Sequence, residues 1–451
     1  MNGAVAFPLD LAELEIAASG GSRVRRSVLP SGVRILSEQV PGSQSATVGY
    51  WVAVGSRDEV PVTYGSTHFL EHLLFKGTAS RMALDIAVAF DEVGGEHNAL
   101  TAKEYTCYYA KVRDRDLPMA VTVLADMFTS SLLDPEEFES ERGVILEELA
   151  MADDDPSDVV SERFFEAVFG EHPLGRPIGG NPEAISAVTR EAVWEHYRAN
   201  YRPQDLVISV AGAVDHDELV GWVSAALTTA GWELGIPASP VVRRDPTVDL
   251  IERGSALVTV DRPIEQANLL LGVAGLHASD ERRPALTVLN SVLGGGMSSQ
   301  LFQEVREKRG LAYSVYSFAA SYADAGLVGL YAGCSPKRAP QVAELMLDEF
   351  RRLGSAGITD DELRRARGQL GGAAALALED SDTRMTRLGR SELTMGEFAD
   401  LDETLRRLEA VTAADVRDLA AELASRPLSV AAVGTVDAAA LAGLDDTAAA
   451  A

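Results

Sequence analysis

The chain has 451 residues, enough for roughly two or three domains, and its 46% hydrophobic and 6% aromatic content is ordinary for a globular protein. A formal net charge of −28 argues against a nucleic-acid partner, whose phosphates demand a cationic surface, and permits attraction of basic peptides. No apolar run approaches the roughly 18 residues of a membrane span; the first 22 residues hold Asp10, Glu13 and Glu15 but no Lys or Arg, so neither a secretory nor a mitochondrial leader is expected and a cytoplasmic location is.

Ser45 to Val54 reads as the first clear strand. The stretch His68-Phe69-Leu70-Glu71-His72 follows, and it carries the chemistry. On a helix, residues i, i+3 and i+4 share a face, so two imidazoles can reach one metal ion with a carboxylate beside them. The order is H-x-x-E-H, the reverse of the commoner H-E-x-x-H. Zinc suits two imidazoles and one carboxylate with the fourth position left for water. Phe69, Leu70, Leu73 and Leu74 are placed to face a core, and Lys76 and Gly77 mark the helix end. The competing reading is a buried helix that happens to carry two histidines.

Ala120 to Phe128 reads as a helix. The next one opens at Asp134, which makes a capping box with Glu137, and Pro135 sits at the first helical position. Glu141, Ile145 and Glu148 lie on one face of it, with Glu147 about 100° away from Glu148. A catalytic zinc needs a third protein ligand; the residues alone leave Glu141, Glu147 and Glu148 open, beside the plainer reading of a solvated acidic face. Val207 to Ala213, Asn268 to Val273 and Ala325 to Tyr331 read as strands, and Val342 to Phe350 as a helix.

The chain repeats itself. Residues 206–215 recur at 428–437, an offset of 428 − 206 = 222, and residues 134–143 recur at 359–368, an offset of 225. The second copy opens with its own capping box, Thr359 with Glu362. The expected architecture is α+β: two homologous domains, each a mainly antiparallel sheet with helices layered on it. Residues 23–230 form the catalytic zinc-binding domain, 231–255 a linker interrupted by Gly235, Pro237, Pro240 and Pro246, and 256–440 a homologous domain without a metal site. At offset 225, His68 and His72 align with Leu293 and Met297, and Glu141 and Glu148 with Ala366 and Ala373. Four polar groups replaced together by apolar ones are expected of one site lost as a set.

Cys107 and Cys334 are too few for a disulfide framework and read as buried reduced thiols. His97, His172, His196, His216 and His277 lack partner spacing and read as structural or surface residues. Residues 294–299, Gly-Gly-Gly-Met-Ser-Ser, lack the ending of a phosphate loop.

The stretch from His68 to Thr78, followed by Glu141-Arg-Gly-Val-Ile-Leu-Glu-Glu-Leu149, resembles the pitrilysin-type zinc peptidases, the inverzincins, and among them the processing-peptidase group. The likeness runs roughly from Leu29 to Val436 and includes residues 94–101, 201–206 and 301–316. It implies one zinc ion per chain, held by His68, His72 and Glu148, with Glu141 an assisting carboxylate that does not bind metal. Zinc bound there makes water acidic enough for attack at neutral pH, and Glu71 is placed as the general base and later acid. The resemblance further implies a peptide substrate added as a strand along Asn98 and Ala99, and an Arg306–Tyr313 pair that anchors substrate across a homodimer closing like a clamshell. Asp158 and Glu162 match in place, with the two acids exchanged, carboxylates that read a basic residue near the cleavage site. The implied function is a zinc-dependent endopeptidase of peptides or small unfolded polypeptides; the alternative is a non-catalytic or partner-dependent subunit of the same fold.

Overall fold

The computed structural model describes residues 3–247 and 251–446, so residues 248–250 of the expected linker lie outside the described residues. The chain forms two compact units. Unit 1 comprises Met1–Leu149, Pro177–Arg243 and Ala374–Glu403; unit 2 comprises Ala150–Arg176, Arg244–Ala373 and Thr404–Ala451.

Unit 1 is built on a seven-stranded sheet. Its strands run, edge to edge, Glu13–Ala17, Arg23–Val28, Arg34–Gln39, Val207–Gly212, Ser45–Val52, Thr106–Arg113 and Glu96–Thr101. All neighbours are antiparallel except Arg34–Gln39 with Val207–Gly212. The five strands of unit 2 run Leu257–Val260, Ser429–Val433, Ala267–Ala274, Gly326–Cys334 and Ala312–Ser321. They repeat the last five of unit 1 in the same order, including the one parallel pair. Ile35 pairs with Ile208, and Leu257 with Val430: both partners shift by 222, the offset read from the sequence.

Central strands such as Ser45–Val52 and Ala267–Ala274 are buried on both faces and read as nearly continuous apolar runs. One face of the unit 1 sheet carries a core that includes Phe69, Phe128, Phe138 and Ile145. The opposite face is covered by helix Ser381–Arg390, which belongs in sequence to the second repeat. A Cβ on Gly389 would lie 2.5 Å from Trp51, so only glycine lets this helix approach. Buried charge ties it down further: Glu38 accepts from Arg384 and Arg387, and Glu392 just beyond the helix pairs with Arg26, Arg34 and Arg243. Unit 2 is covered in the converse way by helix Pro156–Phe169, from the first repeat. There the large residue sits on the helix and the small one on the sheet: a Cβ on Gly272 would lie 2.7 Å from Phe164. The two helices are 225 residues apart, so the repeats have exchanged equivalent elements. Cys107 and Cys334 are buried and unbonded. No helix among the described residues is long and apolar enough to cross a membrane.

Candidate metal centre

The H-x-x-E-H helix is short, Ser66–Leu74. Phe69, Leu70, Leu73 and Leu74 are fully buried and fix its rotation, which leaves His68, Glu71 and His72 on the half-buried face. The helix stops at Leu74, and Gly77 turns the chain with φ +127. The second helix, Pro135–Asp154, begins under its expected cap: Asp134 accepts from the backbone N–H of Glu136 and Glu137. Its buried residues are Phe138, Glu141 and Ile145. Phe138 stacks on Phe69 with ring centroids 4.3 Å apart, so an aromatic contact sets the spacing of the two helices.

That spacing brings three donors together. His68 Nε2 and His72 Nε2 are 3.3 Å apart, and Glu148 Oε2 is 3.7 Å and 3.5 Å from them. Among the described residues, His68, His72 and Glu148 are a group able to hold a metal ion. Ligands at about 2.0–2.1 Å from a tetrahedral zinc are separated by about 3.3 Å, so the three donors fit that ion nearly as they stand. Glu147, one residue away, is exposed and outside this group.

The surrounding groups fix the orientation of the imidazoles. Glu141, with only 5% of its side chain exposed, accepts from His72 Nδ1 at 3.0 Å. The ring proton is therefore on Nδ1, which turns the Nε2 lone pair toward His68 and Glu148. Lys76 Nζ donates to the other Glu141 oxygen at 2.6 Å. Glu141 thus lies between His72 and Lys76, in contact with the ring and outside the group of three donors. Burial, helped by neighbouring His72, holds the His68 pKa down to about 4, so its ring is neutral at physiological pH. Among the described residues, His68 Nδ1 is buried without a hydrogen-bond partner and faces Gly179, where a Cβ would come within 3.6 Å.

Glu71 points from the same helix face toward the edge strand, where Thr101 Oγ1 donates to its Oε2. Burial raises the Glu71 pKa, opposed by the Thr101 hydrogen bond. Asn98 and Ala99 lie on that edge strand, Glu96–Thr101, which among the described residues is paired on one side only, with Thr106–Arg113. Asp158, Glu162, Arg306 and Tyr313 all belong to unit 2. Asp158 and Glu162 are exposed on helix Pro156–Phe169. The Arg306 guanidinium lies over the rings of Phe302 and Tyr313, at 4.8 Å and 4.6 Å, and donates to the Tyr313 carbonyl at 2.8 Å. The Tyr313 side chain is left 74% exposed.

Of the remaining histidines, His196 packs beneath the metal-site helix with Nε2 at 3.2 Å from Thr67 Oγ1, and His216 bridges Ser27 and Ser37. His97 stacks on Phe90 at 4.4 Å. Sequence spacing does not reveal Thr101 or Lys76, because both meet Glu71 and Glu141 through contacts that only the fold creates.

The family models "Insulinase (Peptidase family M16)" and "Peptidase M16 inactive domain" match residues 34–182 and 187–370. An uncharacterized zinc protease of Streptomyces coelicolor is 49% identical, over 92% of this chain and 90% of its own length. The chain belongs to peptidase family M16. Another M16 relative, an uncharacterized zinc protease of Mycobacterium tuberculosis, is 46% identical over 91% of this chain and 93% of its own. Among solved structures, the peptidase M16 inactive domain from Pseudomonas fluorescens superposes with a TM-score of 0.83 at 19% identity, covering 92% of this chain and 98% of that one. A protease from Helicobacter pylori gives 0.81 at 22% identity, covering 92% and 99%. These neighbours share the M16 fold.

Proposed function

We propose that this M16 chain is a zinc-dependent endopeptidase that cleaves peptides and small unfolded polypeptides. The reading rests chiefly on one observation: two imidazole nitrogens and a carboxylate oxygen converge at distances suited to a tetrahedral ion, with a partly buried carboxylate one turn along. His68, His72 and Glu148 would hold the ion. When bound, zinc supplies Lewis acidity, which polarises a carbonyl and acidifies water.

The chain's own groups do the rest. Glu71 takes the proton from the attacking water and returns it to the leaving amine; its raised pKa suits both transfers. Thr101 holds the Glu71 carboxylate in one orientation, and Glu141 holds the His72 ring. An extended peptide adds to the free side of Glu96–Thr101, where Asn98 and Ala99 meet its backbone. Arg306 and Tyr313 bind substrate across a homodimer with a closed chamber that admits peptides and excludes folded proteins. Asp158 and Glu162 favour Arg or Lys near the scissile bond. The protein works in the cytoplasm.

The deciding experiment is metal analysis joined to digestion of a mixed peptide pool, with and without chelator. One zinc per chain and chelator-sensitive cleavage are expected. Zinc binding without cleavage points to the non-catalytic subunit, and absence of zinc binding removes the proposal.

A further inference from the structure

Helix Ser66–Leu74 has nine residues, and His68 is the third of them. A ligand in the first turn of so short a helix moves whenever that turn frays. The N-cap residue is Gly65, at φ +84, which has no side chain to cap with, and the first turn has no acidic residue. The open N–H groups are met from upstream. Glu59, 5% exposed, receives the backbone N–H of Gly65 on Oε2 and that of Thr67 on Oε1, both at 2.8 Å. A buried anion at a helix N-terminus also lies at the favourable end of the helix dipole.

The segment that delivers Glu59 is itself fastened to the other half of the site. Ser56 N–H donates to the Ala102 carbonyl at 3.2 Å and Arg57 N–H to the Lys103 carbonyl at 3.0 Å. Arg57 Nη1 pairs with the buried Glu104 carboxylate at 2.5 Å. A Cβ on Gly55 would fall 2.3 Å from the Ala102 carbonyl oxygen, so this approach needs glycine. Residues 102–104 directly follow Thr101, whose hydroxyl holds Glu71. One segment, residues 55–59, therefore touches both the start of the metal-site helix and the turn that carries the partner of Glu71.

We propose that Glu59 is a positioning residue for the metal centre, which fixes the first turn of the metal-site helix and, through Arg57 and Glu104, sets its register against Thr101. The inference rests on the zinc reading above. Glu59→Gln keeps the shape but places an amide N–H₂ against one of the two backbone donors. Direct partners of metal ligands are worth about 10- to 100-fold in affinity, and Glu59 acts one step further out, so the variant's zinc affinity falls by about 10-fold. The visible absorption of the cobalt-loaded variant changes, because the ligand field at His68 changes.

The test measures zinc affinity by chelator competition and the cobalt spectrum, at a temperature where circular dichroism shows each variant folded. Glu392→Gln, which disturbs a buried ion cluster on the opposite face of the sheet, controls for general destabilisation and keeps both readouts at the wild-type value. Glu59→Asp reaches one donor instead of two and serves in place of Glu59→Gln should the latter not fold. A folded Glu59 variant with wild-type affinity and spectrum overturns the inference alone. A wild-type protein that binds neither metal overturns the zinc reading, and this inference with it.

Discussion

Glu141 is one carboxylate serving two donors, and this makes its amide a sharp probe. In Glu141→Gln a single carbonyl oxygen replaces the two oxygens that accept from His72 Nδ1 at 3.0 Å and Lys76 Nζ at 2.6 Å. If the amide turns its oxygen to Lys76, its N–H₂ faces His72. The imidazole proton then moves to Nε2 and blocks the lone pair that would coordinate. If the oxygen stays on His72, Lys76 loses its acceptor and turns outward, which its 32% side-chain exposure allows. Because the Lys76 ammonium repels the amide N–H₂, the first outcome is the favoured one, and the expected loss of zinc affinity is about 10- to 100-fold, or about 1.4–2.7 kcal/mol. Lys76→Met in the same chain removes the competing donor, so the double variant recovers part of that affinity. The assay is competition for zinc against a chromophoric chelator at pH 7. Wild-type affinity in a folded Glu141→Gln variant, or no recovery in the double variant, refutes the two-donor account.

Further outcomes follow from the same geometry. Glu71→Gln retains zinc by metal analysis and loses about 10²–10⁴ in peptide turnover; comparable turnover in the zinc-loaded variant removes the general-base role. Phe138→Ala removes the ring stacked on Phe69 and costs about 3–5 kcal/mol of stability in urea unfolding. Gly389→Ala forces a Cβ to within 2.5 Å of Trp51 and costs about 1–3 kcal/mol. His196 is kept neutral by burial, with its pKa lowered from 6.5 to about 4. The unfolded chain therefore binds the extra proton between those values and the native state does not, so stability falls as pH drops through that window, by about 1.4 kcal/mol per pH unit. The gap in stability between pH 7 and pH 5 should be smaller in His196→Asn than in the parent chain.

The parts of this site governed by local periodicity are legible in the sequence. His68, Glu71 and His72 share a face because helices have 3.6 residues per turn, and the four apolar residues between and after them choose which face is buried. The choice among Glu141, Glu147 and Glu148 is not legible that way, because all three lie within two turns of an acidic helix. Packing sets the three apart in space: Phe138 and Ile145 turn their face of the helix inward, which buries Glu141 against His72 and leaves Glu148, two turns on, at the level of the two imidazoles. Strand cores such as Ser45–Val52 and Val207–Gly212 were visible as apolar runs, and the repeat offset recurs in the sheet register. The offset marks helices Pro156–Phe169 and Ser381–Arg390 as equivalent, but no sequence periodicity says which sheet each one covers. That depends on contacts such as Gly389 on Trp51 and Phe164 on Gly272, made between residues more than 100 positions apart.

The traded helices bear on how such a chain can be cut. Cleaving it between the repeats yields a front fragment without the segment that shields Trp51 and Val207, and a rear fragment without the segment that shields Leu270 and Ala431. Neither piece can close its own interior from what it encodes, so each is a natural captor of the other.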